Sequence, residues 1–352
     1  MRFGVSLLPD VSPDQMPAEQ YFDDYVGIAQ WAEHNGFDYV KITEHYLHPY
    51  GGYCPSPLTF LAAVAARTER IRLMTGCTLP VFHHPVQLAS HAAMVDALSH
   101  GRLDVGFARA YLPHEFETFQ VPMDGSRARF EATVQAVVRL WSEEGVTEET
   151  DYFRFRDATI LPRPVQRPHP PVWVAAVKSE ESFTRIGEMG FGLLINPSVA
   201  SVDAANVERY RSAFQSHHGH KGWKPRVAAS LPLLVAPTDE QANELADPLL
   251  RRYLDVWASA VEPWDDTASR DYATYTGMGR FIRSLTPKDC RLSGSAMIGS
   301  PERIVRRVTE FQEKLGVDVL LWQVDFGGAS GEVARRSLEL FVDQVADKIS
   351  DL

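Results

Sequence analysis

Glu44 and His45 stand side by side, and His48 follows three residues later. A neutral imidazole takes and gives a proton near pH 7, and a carboxylate next to it suits the holding of neighbours better than acid chemistry. On its own, a single histidine reads as well as a structural residue bonded to backbone. The same three residues could also suggest a metal, but they lie on a strand end and its loop rather than at i, i+4 on one helix, which argues against it. Arg109 carries a planar set of donors suited to a phosphate; its plainer reading is a surface ion pair. Ser179 and Ser182 open a helical stretch, where hydroxyls and free N–H groups make an anion site. The plainer reading there is an N-cap at Ser179, without a full capping box, because Ser182 occupies the place of the Glu or Gln. Cys54, Cys77 and Cys290 are odd in number and far apart, so they form neither a disulfide nor a metal pattern and favour a reducing cytoplasm.

Something must position these residues. Apolar runs with strand character alternate with helical stretches along the whole chain. The strands are expected at Phe3–Leu8, Phe37–Ile42, Ile71–Thr75, Leu103–Phe107, Val172–Ala176, Phe191–Ile195, Val227–Val235 and Val317–Val324. The helices are expected near Tyr21–His34, Pro57–Arg67, Pro85–Leu98, Ser126–Trp141, Ser179–Glu188, Val202–His217, Asp239–Ala258, Pro301–Lys314 and Val333–Ile349. Residues 143–171 read as a surface hairpin followed by a proline-rich extended connection. Residues 261–296 lack clean periodicity and read as an insertion.

Regular alternation of strand and helix means a parallel sheet. Eight such units, with no GxGxxG after the first strand, favour a closed (β/α)8 TIM barrel over a dinucleotide-binding Rossmann sheet. The expectation is one domain over residues 1–352, with the insertion at about 261–296. In a barrel the chemistry sits at the C-terminal ends of the strands. That rule selects Thr43-Glu44-His45, Thr75-Gly76-Cys77, Ala108-Arg109-Ala110 and Val177-Lys178-Ser179.

Lys and Arg number 35 against 46 Asp and Glu, a net charge of −11. With no basic cluster, nucleic acid and anionic membranes are poor partners. No apolar run reaches the length of a membrane span, and MRFGVSLLPD reads as a first strand rather than a signal peptide.

At these strand ends the sequence resembles the bacterial luciferase-like, flavin-dependent monooxygenases. The segments that carry the likeness are TEHY (43–46), TGCTLPVFHHPVQLA (75–89), DALSHGRLDVGFARAY (96–111), HEFETFQVPMDGSRARFEA (114–132), IGSPERIVRRV (298–308) and GVDVLLWQVDFGG (316–328). It runs from Phe3 to about Val345 and is weakest across 200–296. Six matches in order are specific for fold and family, not for a substrate.

The resemblance implies that Arg109, Ser179 and Ser182 hold the FMN phosphate, that Gly76 and Cys77 lie under the flavin ring where the family often has a non-proline cis peptide, and that His45 is catalytic. Lys178 departs from the Glu of luciferase itself and either adds charge to the phosphate site or points away. Ala108 replaces luciferase's reactive Cys, which weakens light emission as a function but not flavin binding. His84, Tyr46 and Tyr111 are pocket candidates, with His48, His83 and Phe82 beside them. The implied activity is a two-component monooxygenase that takes reduced FMN from a separate flavin reductase and uses dioxygen to oxygenate a small organic substrate. The C-terminal VDFGGASGEVARRSLELF hints at natural-product biosynthesis, and the family tends to form homodimers through a helical face. Two alternatives stand beside it: an F420-dependent hydride-transfer enzyme and a flavin-binding protein without turnover.

Overall fold

The computed structural model describes residues 1–196 and 203–352. Eight parallel strands form a closed ring: Arg2–Leu7, Tyr39–Ile42, Arg72–Thr78, Leu103–Phe107, Val172–Ala176, Gly192–Ile195, Val227–Val235 and Val319–Gln323. Each pairs with the next, and the last pairs back onto the first with Arg2 opposite Val319. These strands are buried almost throughout, because helices cover the outside and side chains fill the inside. The interior holds Tyr39, Met74, Cys77, Trp173, Leu194 and Leu321.

All eight strands fall where the apolar runs place them, with shifted ends. The third continues through Gly76 and Cys77 to Thr78, past the expected Thr75. It does so with a register irregularity between Thr75 and Thr78 and a cis Gly76–Cys77 peptide. The first helix starts at Ala18 rather than Tyr21, since Ala18, Glu19 and Gln20 are exposed helix formers that carry no apolar period. Its counterpart near 202 runs Ala204–His218 behind an Asp203 cap; Val202 lies outside the described residues. The last helix is not one piece: Gly331–Phe341 gives way to a wider turn, Val342–Ala346, and then Asp347–Ile349.

The hairpin between the fourth and fifth strands pairs Val146–Glu149 with Arg154–Ala158. Its proline-rich exit is tied down by buried Asp96, whose carboxylate accepts the N–H groups of Val165 and Gln166 at 2.7 and 3.0 Å. The aperiodic region is built of short pieces. The helix Asp239–Val261 leads into 3₁₀ turns at Glu262–Asp265 and Arg270–Tyr275, then helices Met278–Ser284 and Pro287–Ser293. Buried Trp264, Tyr272 and Ile282 anchor it. Sequence periodicity also leaves out two short elements, the turn Pro80–Phe82 and the helix Pro113–Thr118. No helix among the described residues is long and apolar enough to cross a membrane.

Candidate active site

The ends of the second and third strands are latched together. Thr43 Oγ1 donates to the Gly76 carbonyl at 2.6 Å, and the Glu44 N–H donates to the Cys77 carbonyl at 3.1 Å. Beneath Gly76 lies the stem of Lys41. A Cβ on Gly76 would stand 2.0 Å from Lys41 Cε, so only glycine fits. Lys41 is buried inside the barrel and donates to Ser6 Oγ at 3.0 Å and Thr43 Oγ1 at 3.3 Å. Without a paired carboxylate, burial brings its pKa down to about 8. Burial pushes the Cys77 thiol up to about 12, which leaves it without nucleophilic character near neutral pH.

Glu44 and His45 are both buried but are held by different partners. Glu44 Oε1 accepts the Tyr46 hydroxyl at 2.6 Å and faces His83 Nε2 at 2.7 Å; Oε2 accepts the Leu79 N–H at 3.2 Å. Glu44 therefore ties the loop after the second strand to the loop after the third. His45 Nδ1 lies 3.0 Å from Glu115 Oε1, which also accepts the Tyr46 N–H at 2.9 Å. An oxygen that already accepts one N–H is an acceptor for the ring too, so Nδ1 carries the proton and Nε2 is left as the free atom. Glu115 is fully buried and its Oε2 has no partner. The residues beside His45 are Tyr50 and Tyr111, with ring centroids at 5.3 and 6.0 Å.

His48 turns away from the pair: its Nε2 lies 3.3 Å from Ser259 Oγ, and its Nδ1 accepts the Tyr50 N–H. Burial and the neighbouring His114 and His45 bring its pKa down to about 4, so it is neutral. Glu44, His45 and His48 thus point to three different places. Tyr46 packs edge-on against Phe119, and Phe119 stacks on Phe82, giving one side of the mouth an aromatic wall.

Arg109 follows the fourth strand. Its Nη2 donates to the Asp271 carbonyl at 2.9 Å, and the guanidinium lies 4.1 Å from the centre of the Tyr272 ring. Its Nη1 is buried without a partner among the described residues. The turn Arg270–Tyr275 thus holds the side chain while one donor stays unspent. The same turn reaches the helix after the fifth strand: Asp271 Oδ2 accepts the N–H groups of Gly125 and Arg127, and Arg127 pairs with Glu181. Ser179 caps that helix, Glu180–Met189, and its Oγ accepts the Ser182 N–H at 3.4 Å. A hydroxyl that accepts a cap bond still has its own proton to donate, so the cap and the anion site are compatible. Lys178 is exposed, and its Nζ lies 6.0 Å from the centre of the Phe281 ring, toward the short helix above.

One expectation needs correction. His84 is not gathered with the pocket residues: it is exposed, caps the helix Pro85–Leu98 through Nδ1, and faces Phe153 and Phe155 of the hairpin. The 3₁₀ turn Pro80–Phe82 directs His83 inward instead. Sequence reasoning also missed Glu115, inside the HEFETF segment, and Lys41, which strand alternation alone does not mark as interior. A third omission is the partnership of Tyr50 with Tyr253 and Trp257, three aromatics whose ring centroids lie 5.9–6.3 Å apart.

The family model described as luciferase-like monooxygenase matches residues 1–318. The oxygenase component of flavin-dependent trigonelline monooxygenase from Acinetobacter baylyi is 26% identical, the alignment covering 100% of this chain and 96% of that protein. The crystal structure of monooxygenase RslO1 from Streptomyces bottropensis is similar with a TM-score of 0.84 at 36% identity, covering 99% of both chains. The oxygenating constituent of 3,6-diketocamphane monooxygenase from Pseudomonas putida, a type II Baeyer–Villiger enzyme in complex with FMN, shares the fold with a TM-score of 0.79 at 19% identity, again over 99% of both.

Proposed function

The chain belongs to the luciferase-like monooxygenase family, and on that premise we propose that it is the oxygenase of a two-component pair, using reduced FMN from a separate flavin reductase and dioxygen to oxygenate a small organic substrate. The observation that carries this reading is Arg109 Nη1, a buried guanidinium donor with no partner among the described residues, fixed by the turn at 270–275, which Asp271 and Arg127 connect to the helix that Ser179 caps. Buried donors are kept unpaired where a ligand completes them. A phosphate suits that arrangement, since it offers several oxygens to a guanidinium, a hydroxyl and a helix N-terminus at once.

Reduced FMN, when bound, supplies the electrons with which dioxygen is activated. The chain's own groups do the rest. Arg109, Ser179 and Ser182 hold the phosphate, with Lys178 contributing positive charge near that end. Gly76 and Cys77 would offer the ring the backbone of the third strand's end. His45 holds or moves a proton at Nε2, with Glu115 fixing its tautomer from behind. Glu44 acts by orientation, through Tyr46, His83 and Leu79. Tyr46, Tyr111, Phe82 and Phe119 line the mouth and keep water from the reacting atoms.

The enzyme is expected to work as one domain and as a homodimer. Exposed Met94 and Leu98, on the helix Pro85–Leu98, and Val165 beside them supply an apolar patch for the second copy. Three buried free cysteines fit a cytoplasmic setting. The test is anaerobic titration of the purified protein with reduced FMN and, separately, reduced F420. Saturable binding of reduced FMN supports the oxygenase reading. Selective binding of F420 replaces it with hydride transfer, and binding of neither overturns both.

A further inference from the structure

Four polar aromatic tips meet beside His45. Tyr50 comes from the loop after the second strand and Tyr111 from the loop after the fourth. Tyr253 and Trp257 stand at i and i+4 on the helix Asp239–Val261, so both project from one face of it. Tyr50 and Trp257 have nearly parallel rings, 10° apart with centroids at 6.1 Å, and Tyr50 and Tyr253 are 6.3 Å apart. The Tyr50 hydroxyl comes close to those of Tyr111 and Tyr253, and that of Tyr111 close to the Trp257 indole N–H. Yet neither approach is aligned as a hydrogen bond, and among the described residues Tyr253 Oη and Trp257 Nε1, in side chains 2% and 3% exposed, have no well-aligned partner.

We propose that Tyr50, Tyr111, Tyr253 and Trp257 form a substrate subsite for a neutral oxygen acceptor, the carbonyl of a flat conjugated ketone. The subsite rests on the oxygenase reading only in that its occupant is the substrate of that site. Three features select the class. An indole N–H is a donor only, and a phenol held protonated prefers to donate, so the missing partner is an acceptor. The phenols do stay protonated, since burial pushes all three well above the ordinary tyrosine range. The two histidines nearest the cluster offer an anion no free charge. His48 is neutral, and the Nδ1 side of His45 is tied to Glu115. Finally, the walls are ring faces: Tyr111 lies 5.8 Å from Tyr275, and Trp264, itself 5.5 Å from Tyr275, donates its N–H to the Tyr111 carbonyl. Flat conjugated surface is what such walls pack best.

The experiment measures binding of three probes of one shape to the full chain by equilibrium dialysis: 2-acetylnaphthalene, its hydrocarbon analogue 2-ethylnaphthalene, and 2-naphthoate. Wild type is compared with Tyr253→Phe and Trp257→Phe, and each protein is also titrated with reduced FMN. The ketone is expected to bind wild type about tenfold more tightly than either analogue, and each substitution to cut that preference by roughly threefold or more, the scale of one lost hydrogen bond. Hydrocarbon and flavin binding should stay as they were. Equal binding of ketone and hydrocarbon, tighter naphthoate, no ketone binding, or a preference that both variants keep would overturn the subsite. Loss of reduced-FMN binding in wild type with the ketone preference intact would overturn the oxygenase reading instead.

Discussion

Arg109→Met separates a ligand-binding arginine from a structural one, and the structure sets the size of each effect. The substitution roughly conserves volume, so packing loss is small. What goes is the bond from Nη2 to the Asp271 carbonyl and the guanidinium's stacking on Tyr272, worth about 1 kcal/mol each. What also goes is a buried donor without a partner, whose removal returns about 1–3 kcal/mol. The two nearly cancel, so the ligand-free protein should melt within about 5 °C of wild type. Flavin binding has no such compensation. A charged donor to a phosphate oxygen contributes about 1.5–3 kcal/mol, so reduced FMN should bind about 10- to 150-fold more weakly. Riboflavin supplies the control, because it has the ring and no phosphate. Anaerobic titration should show reduced riboflavin binding wild type and variant alike. If both flavins weaken equally, Arg109 does not serve the phosphate. A melting temperature lower by much more than 5 °C would make it a strut of the turn at 270–275.

Other substitutions test the rest of the site. Glu115→Gln exchanges a charge-assisted bond to His45 Nδ1 for a neutral one, a loss of about 1–2 kcal/mol. Substrate oxygenation should slow by about 5- to 30-fold and the ¹⁵N shifts of His45 should show mixed tautomers, while reduced-FMN affinity holds; unchanged shifts would make Glu115 mere packing. Gly76→Ala drives a Cβ into the Lys41 stem and should cost about 1–3 kcal/mol or more. By contrast Gly27→Ala, in the helix Ala18–His34 with nothing within 4 Å, should stabilise by up to about 1 kcal/mol; urea midpoints that move alike in both would refute the steric argument. Asp10 is raised to about 8 by burial and by Asp325, so the folded protein holds a proton that the unfolded chain gives up near the ordinary carboxylate value. Its contribution is whole below that value and is lost as pH climbs toward 8, and Asp325, raised to about 6, has the same sign. The unfolding free energy from urea titration should therefore fall from pH 5 to pH 8 by on the order of 4 kcal/mol in wild type and by clearly less in Asp10→Asn; parallel slopes would assign the titration elsewhere.

The parts of this architecture legible in the sequence are those written in local patterns. Eight apolar runs mark eight strands because a strand covered on both faces must be apolar along its length. The strand-end rule then points at His45, Glu44, Arg109 and the Gly76–Cys77 step without any coordinates. Contacts between segments distant in sequence are not legible in that way. Glu115 sits in a helix of six residues, too short to show a period, and is brought to His45 across a separation of 70 residues. Lys41 looks like the polar member of an alternating strand, yet barrel closure turns it inward beneath Gly76. Whether His83 or His84 enters the site depends on a single 3₁₀ turn. Tyr253 and Trp257 read as the apolar face of an ordinary helix, and only the closed ring sets them against Tyr50.

The same contrast divides the labour of the site. The segments that resemble the family supply strand ends and their loops, and these hold His45, Gly76 and Arg109. The stretch where the resemblance is weakest supplies the roof, and the roof touches both halves of the chemistry. Its turn at 270–275 fixes Arg109 through the Asp271 carbonyl and Tyr272, while Trp264 fixes Tyr111 through a 2.7 Å bond from its indole N–H to the backbone carbonyl. Tyr253 and Trp257 come from the helix that leads directly into it. Rebuilding residues 262–293 is therefore expected to disturb Arg109 as well as the aromatic wall, because one turn touches both. If Arg109 holds the flavin phosphate as proposed, variants in the roof should move substrate preference and phosphate affinity together, whereas variants at Tyr253 or Trp257 alone should move only the first.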